Sequence, residues 1–254
     1  MNILIVIDRY YPIGGGIQQY IRGLARTLTG MGHSITILTQ TDEDAPEQEQ
    51  WEEGMILRTP ILKDTLPHPE VMLERWPQLV PYIEAVQPDV IYANNHTSIG
   101  TIQAAHAANV PVVYSCHGWG LFCPLKIRLI KPDQSLCHND RSLENCLRCS
   151  DLRNPPVPPR IKGMGRTLVK STYERLNWQR IRRKEFAPLV QRYDRYQDIL
   201  ESAQARIANS RLTASFFRSP RTYPIYLGLD TAEFRPVESH TFRERYQLGD
   251  APYI

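Results

Sequence analysis

Residues 2–32 leave this chain few folds to choose from. Asn2-Ile3-Leu4-Ile5-Val6-Ile7 is short, continuous, apolar and largely branched, the pattern of a parallel strand buried on both faces. The turn Tyr11-Pro12-Ile13-Gly14-Gly15-Gly16 follows, and its three glycines permit positive φ and the close approach of another molecule. From Ile17 the apolar residues Ile17, Tyr20, Ile21, Leu24 and Leu28 recur at helical spacing, with Gln19, Arg22 and Arg26 on the other side. This helix is expected to stop at Gly30 to Gly32. Strand, glycine turn and helix start make a general anion site, because free N–H groups and the positive end of the helix dipole face the turn.

The glycines fit neither of two common phosphate-binding patterns. A dinucleotide fingerprint needs glycine at the first, third and sixth positions, and counting from Gly14 the sixth is Gln19. The turn is also longer than that fingerprint, which disfavours a nicotinamide-dependent oxidoreductase. No lysine and hydroxyl pair follows, which excludes a P-loop. A plain tight strand-to-helix turn also accounts for Gly14 to Gly16.

Further along, strands are expected at Ser34 to Thr39, Met55 to Arg58, Val90 to Tyr92 and Val110 to Cys116, the first alternating in polarity. Between them lie a polar acidic stretch, 41–53, which reads as a loop; a helix over 70–86 interrupted by Pro77 and Pro81; and a helix rich in small residues over 98–108. Strands alternating with helices imply an α/β doubly wound parallel sheet, with ligands outside the carboxyl ends of its strands. Those ends carry the glycine turn, then Asn94-Asn95-His96, then His117-Gly118-Trp119. At 254 residues the chain is long enough for one large α/β domain with a sizeable core, or for two small ones. Its net charge of +3 gives no reason to expect nucleic acid as a partner. No apolar run approaches a membrane span and no basic leader opens the chain, so a cytoplasmic location is expected.

Taken whole, Asp8 to Thr39 resembles the opening of the family-four glycosyltransferases, two-domain enzymes of GT-B architecture. The matching points are Tyr11-Pro12, Gly15-Gly16 and Gly32-His33 before the second strand. "ANS" at 208–210 and the G-x-D-x-x-x-F-x-P pattern at 228–236 resemble the marks that close the family's first domain. The resemblance implies an N-terminal Rossmann-like domain over residues 1–236, with 237–254 leading into a second domain that the sequence lacks. It implies transfer of a sugar, with retention, from a nucleotide sugar to a carbohydrate or lipid-linked acceptor, with no cofactor for catalysis. Partners would be that donor, that acceptor and a C-terminal donor-binding domain, missing or on a separate chain; the chain alone would be inactive. By the same resemblance Gly15 and Gly16 lie near the donor diphosphate, and His117 contacts the donor sugar or its reaction centre. Asn94, His96 and Ser210 are substrate-side candidates. Cys116 beside His117 is not expected to form a nucleophile and base pair, since adjacent strand residues point to opposite faces.

Cys123, Cys137, Cys146 and Cys149 are separated by thirteen, eight and two residues within a cysteine- and proline-rich insertion, 123–160. Cys-x-x-Cys can present two sulfurs to one ion, and the other two can complete a tetrahedron. Structural zinc is one expectation; a redox pair at Cys146 and Cys149, or simple thiols, are the others. Next come a stiff connector, 154–159, and the basic amphipathic stretch 166–185. That stretch suits either a solvated helix or contact with an anionic membrane, at the inner face. Its scattered basic residues favour the former. A further helix is expected over 189–203, then a short strand, with Ser210 at a helix start. The alternative to an enzyme is a non-catalytic, zinc-stabilised carbohydrate-binding or assembly module.

Overall fold

The computed structural model describes residues 1–65, 68–125, 130–131, 133–138, 140, 142–153, 168–228, 231, 240–247 and 249, with backbone alone for 151–153, 168–182 and 240. Eight strands form one sheet: β1 Asn2–Val6, β2 Ser34–Gln40, β3 Gln48–Trp51, β4 Gly54–Thr59, β5 Val90–Asn94, β6 Val112–Cys116, β7 Ala205–Ala208 and β8 Thr222–Pro224, in the order β3-β4-β2-β1-β5-β6-β7-β8. The helices are α1 Gly16–Gly30, α2 Met72–Arg75, α3 Val80–Val86, α4 Ser98–Ala107, α5 Leu143–Arg153, α6 Leu168–Glu201, α7 Arg211–Ala214 and α8 His240–Arg245. All strand pairs are parallel except β3 with β4. The expected α/β parallel sheet is therefore present.

Alternation along β1 divides the core in two. Ile3, Ile5 and Ile7 join Ile21 and Ala25 of α1, with Ile35, Ile37 and Ile56. Leu4 and Val6 point the other way, among Ile83 of α3, Ile99 and Ile102 of α4, and Tyr196 and Leu200 of α6. β1 sits between β2 and β5, so the chain reverses its winding direction beside it. An open sheet leaves a crevice at the carboxyl ends where such a reversal occurs.

Four expectations need correction. Ser34 to Thr39 alternates in sequence, yet residues 35–39 are all buried. As the strand between β1 and β4, it is covered on both faces, and Thr36 and Thr39 are simply buried threonines. The acidic stretch 41–53 contains β3, a solvated edge strand whose ladder with β4 overrides its polar composition. The cysteine-bearing stretch is not all loop, because Cys146 and Cys149 lie on α5. The two helices expected over 166–203 are one, α6, which runs through Pro188. By contrast, the segment at 69–86 breaks as expected, into short helical pieces with Pro77 and Pro81 in the first turns of two of them. Residues 154–159, Asp230 and 251–254 lie outside the described residues, as do the side chains of 168–182 that would show which way the basic face turns.

Candidate functional site

α1 begins at the carboxyl end of β1. Gly15 is its N-cap, with φ −177° and ψ 174°, and no side chain caps its first turn. Neither Gly15 nor Gly16 has positive φ. The conformational freedom of glycine is therefore unused at both, contrary to the simplest account of the triplet. A Cβ on Gly16 would meet nothing within 4 Å; one on Gly15 would meet only the far end of Gln18, 2.6 Å away. Both glycines are exposed. What they provide is open space above uncapped N–H groups, which suits an anion approaching from outside.

One turn into α1, Tyr20 packs edge-on against His117, ring centroids 5.1 Å apart. His117 follows β6 and lies on the same side of it as Ser115. Its Nε2 is 3.1 Å from Asn94 Oδ1 and 3.0 Å from Ser115 Oγ. Tyr92 donates to Ser115 Oγ at 2.8 Å, and the Tyr20 and Tyr92 hydroxyls are 3.1 Å apart. Asn94 sits opposite Ser115 in the β5–β6 ladder, and its amide nitrogen donates to Val6 O and Tyr92 O, both at 3.2 Å. Its Oδ1 can thus only accept, which assigns the hydrogen of the neutral imidazole to Nε2 and leaves Nδ1 as an acceptor. A sugar hydroxyl is a suitable donor to it.

Burial lowers the His117 pKa from 6.5 to about 4, so the ring is neutral at pH 7. The unfolded chain binds this proton near pH 6.5 and the folded protein only near 4, so stability is lost as pH falls through that interval. The loss should approach about 3 kcal/mol near pH 4. Urea titrations from pH 7 to 4 should show this slope and lose it in His117→Asn.

The other candidates divide. Asn94 is fully buried with its amide engaged inside the protein, its Oδ1 facing His117. His96 follows β5, its ring against Gly120, where a Cβ would come within 2.5 Å of Nε2. Ser210 is the N-cap of α7, its Oγ accepting from Thr213 N at 3.0 Å, beyond the carboxyl end of β7. Cys116, the last residue of β6, is buried, its thiol pushed up to about 12 chiefly by burial, and its Sγ is 3.6 Å from Gly118 O; it makes no dyad with His117. Sequence reasoning missed Tyr20, Tyr92, Ser115 and the buried Asp8, whose Oδ1 accepts from Asn95 Nδ2 at 3.2 Å. The i, i+2 spacing of Ser115 and His117 on a strand was the one available signal.

Two cationic contacts hold the entry to the glycine turn. Arg58, 5% exposed, donates to Tyr11 O and Pro46 O, both at 2.8 Å, and pairs with Glu49. Arg22 lies over the Tyr11 and Trp51 rings, 5.2 Å from each centroid, and pairs with Glu53 at 2.7 Å.

Residues 14–151, more than half of the chain, match Glycosyltransferase Family 4. Alpha-monoglucosyldiacylglycerol synthase from Streptococcus pneumoniae is 27% identical over 121 residues, which are 46% of this chain and 26% of that protein. Sucrose-phosphate synthase from Thermosynechococcus elongatus superposes with a TM-score of 0.55 at 16% identity, over 99% of this chain and 53% of the other. Anabaena Alr3699/HepE, solved with UDP, gives 0.48 at 16% identity over 98% of this chain and 50% of the other. The chain thus spans about half the length of these solved structures and about a quarter of the curated relative.

Proposed function

This chain belongs to Glycosyltransferase Family 4, and from that premise we propose that it is the acceptor-side half of a two-domain transferase that moves a sugar from a nucleotide-diphosphate sugar to a carbohydrate or lipid-linked acceptor, with retention. The observation that carries this reading is the joining, through Tyr20 and His117, of an uncapped glycine-rich helix start to a neutral, oriented imidazole.

In this mechanism the N–H groups at Gly15 and Gly16 face the donor diphosphate as charge builds on the leaving group. His117 accepts a donor-sugar hydroxyl at Nδ1, which fixes the anomeric carbon relative to the acceptor. Asn94 and Ser115 hold the ring; His96, Ser210 and Asp8 lie on the acceptor side. The departing phosphate assists removal of the acceptor proton. None of these steps calls on a metal. Donor affinity resides mainly in the complementary domain, on the same polypeptide or another, so this chain by itself should transfer little sugar. Among the described residues no helix is long and apolar enough to cross a membrane. A cytoplasmic enzyme, reaching a lipid-linked acceptor at the membrane surface, fits this reading.

Gly16→Ala in the two-domain enzyme is the test. Because the new methyl meets no protein atom, folding should be unchanged or improved by up to about 1 kcal/mol. Donor affinity, measured by calorimetry with the nucleotide sugar, should fall about tenfold or more as the methyl blocks approach to the N–H groups. Unchanged affinity for donor and acceptor would overturn the assignment.

A further inference from the structure

Four of the five cysteines gather after β6, and the proposed sugar transfer uses none of them. All five are thiols. Cys146 and Cys149 are three residues apart on α5, so their side chains share a face. Cys123, Cys146 and Cys149 are 8%, 7% and 8% exposed, and Cys123 and Cys149 belong to one apolar cluster against which Cys137 also packs. An antiparallel bridge between Ile130 and Leu136 folds the intervening loop back and returns Cys137 towards α5. There the Asn145 amide, next to Cys146, points its N–H at Cys137 Sγ from 3.8 Å while also donating to Asp140 O at 2.5 Å.

We propose that Cys123, Cys137, Cys146 and Cys149 bind one zinc ion as a structural tetrathiolate that pins the segment after His117 against α5. Among the described residues no three or more His, Cys, Asp or Glu side chains already stand as a set that grips an ion. Binding must therefore draw the thiols inward, and of the four Cys137 alone is half-exposed. Each thiol gives its proton to the buffer and a sulfur lone pair to zinc, so four protons leave per ion bound and no electron changes hands. The Asn145 N–H is already placed to donate to a coordinated sulfur, as the outer partners of metal sites do.

The test loads the purified chain with zinc alone, removes the excess and measures bound metal and reactive thiols. About one zinc per chain, with four thiols shielded, is the expected result. Cys149→Ser should lose the metal and Cys116→Ser should keep it. A Cys149→Ser variant that does not fold is replaced by cobalt(II) loading of the unaltered chain. There, intense thiolate-to-metal charge transfer with tetrahedral ligand-field bands supports the site, and a weak octahedral spectrum overturns it. Zinc below about one-tenth equivalent in a natively folded chain, or a Cys146–Cys149 disulfide in its place, also overturns it.

Discussion

Arg206→Ala should cost about 3–5 kcal/mol, a large part of the stability of a domain this size. Arg206 lies on β7, is 1% exposed, and sends its guanidinium to the end of α6. There Nη1 donates to Leu200 O at 3.3 Å, Glu201 O at 2.5 Å and Ala203 O at 3.0 Å, carbonyls at and just beyond the helix end, where intrahelical donors run out. Nε and Nη2 reach Thr222 Oγ1 and Ser219 Oγ, tying the turn before β8 to the same group. Burial pulls the guanidinium pKa down, the Glu201 carboxylate at 3.8 Å opposes this, and the negative end of the α6 dipole also favours the cation. Truncation orphans several buried acceptors at once, each a loss of about 1–3 kcal/mol. Urea denaturation should show the fall at unchanged slope. Arg206→Met, which keeps the apolar stem, should recover only a minor part. A loss below about 1 kcal/mol would mean that water replaces the guanidinium there.

The second large effect is on chemistry. In the two-domain enzyme His117→Ala should lower kcat/KM about 100- to 1,000-fold, the usual scale for a lost charge- or position-dependent contact in a transition state. Ser115→Ala and Tyr92→Phe act only through the ring's orientation. Each should lower kcat about three- to tenfold with little change in donor KM. A merely structural His117 would instead lower stability in all three and leave the kinetics of the folded fraction unaltered. Steady-state assays at matched folded concentration, with folding checked by circular dichroism, separate the two.

The sequence revealed the parts of this site that depend on near neighbours. β1, the glycine turn and α1 were legible because burial period and helix period change within a few residues, and Ser210 because a cap acts on an amide three positions away. The hydroxyl chain was not, since Tyr20 meets Tyr92 across 72 residues and Tyr92 meets Ser115 across 23, distances at which no local pattern operates. Asn94 read as a ligand-facing polar residue after a strand; only the register opposite Ser115 shows its amide turned inward. α5 escaped because its composition is polar and its contacts with α6, not its own periodicity, hold it. β3 escaped because an edge strand is defined by its partner.

β6 ends at Cys116 and β7 begins at Ala205, with Cys116 directly opposite Ala208. The long excursion between them leaves at the carboxyl end of β6, where the sugar would lie in the proposed enzyme, and re-enters at the amino end of its parallel neighbour, where Ala205 stands opposite Val113. Leu121 and Phe122 near its start and Tyr193, Tyr196 and Leu200 near its end belong to the core, so descent with modification can lengthen, trim or exchange only what lies between those anchors. Asn94, Ser115 and the glycine turn would not be disturbed. In the proposed enzyme, acceptor preference can thus diversify while the donor-side machinery, His117 included, stays fixed, and chimeras spliced between those anchors are the natural way to transplant it.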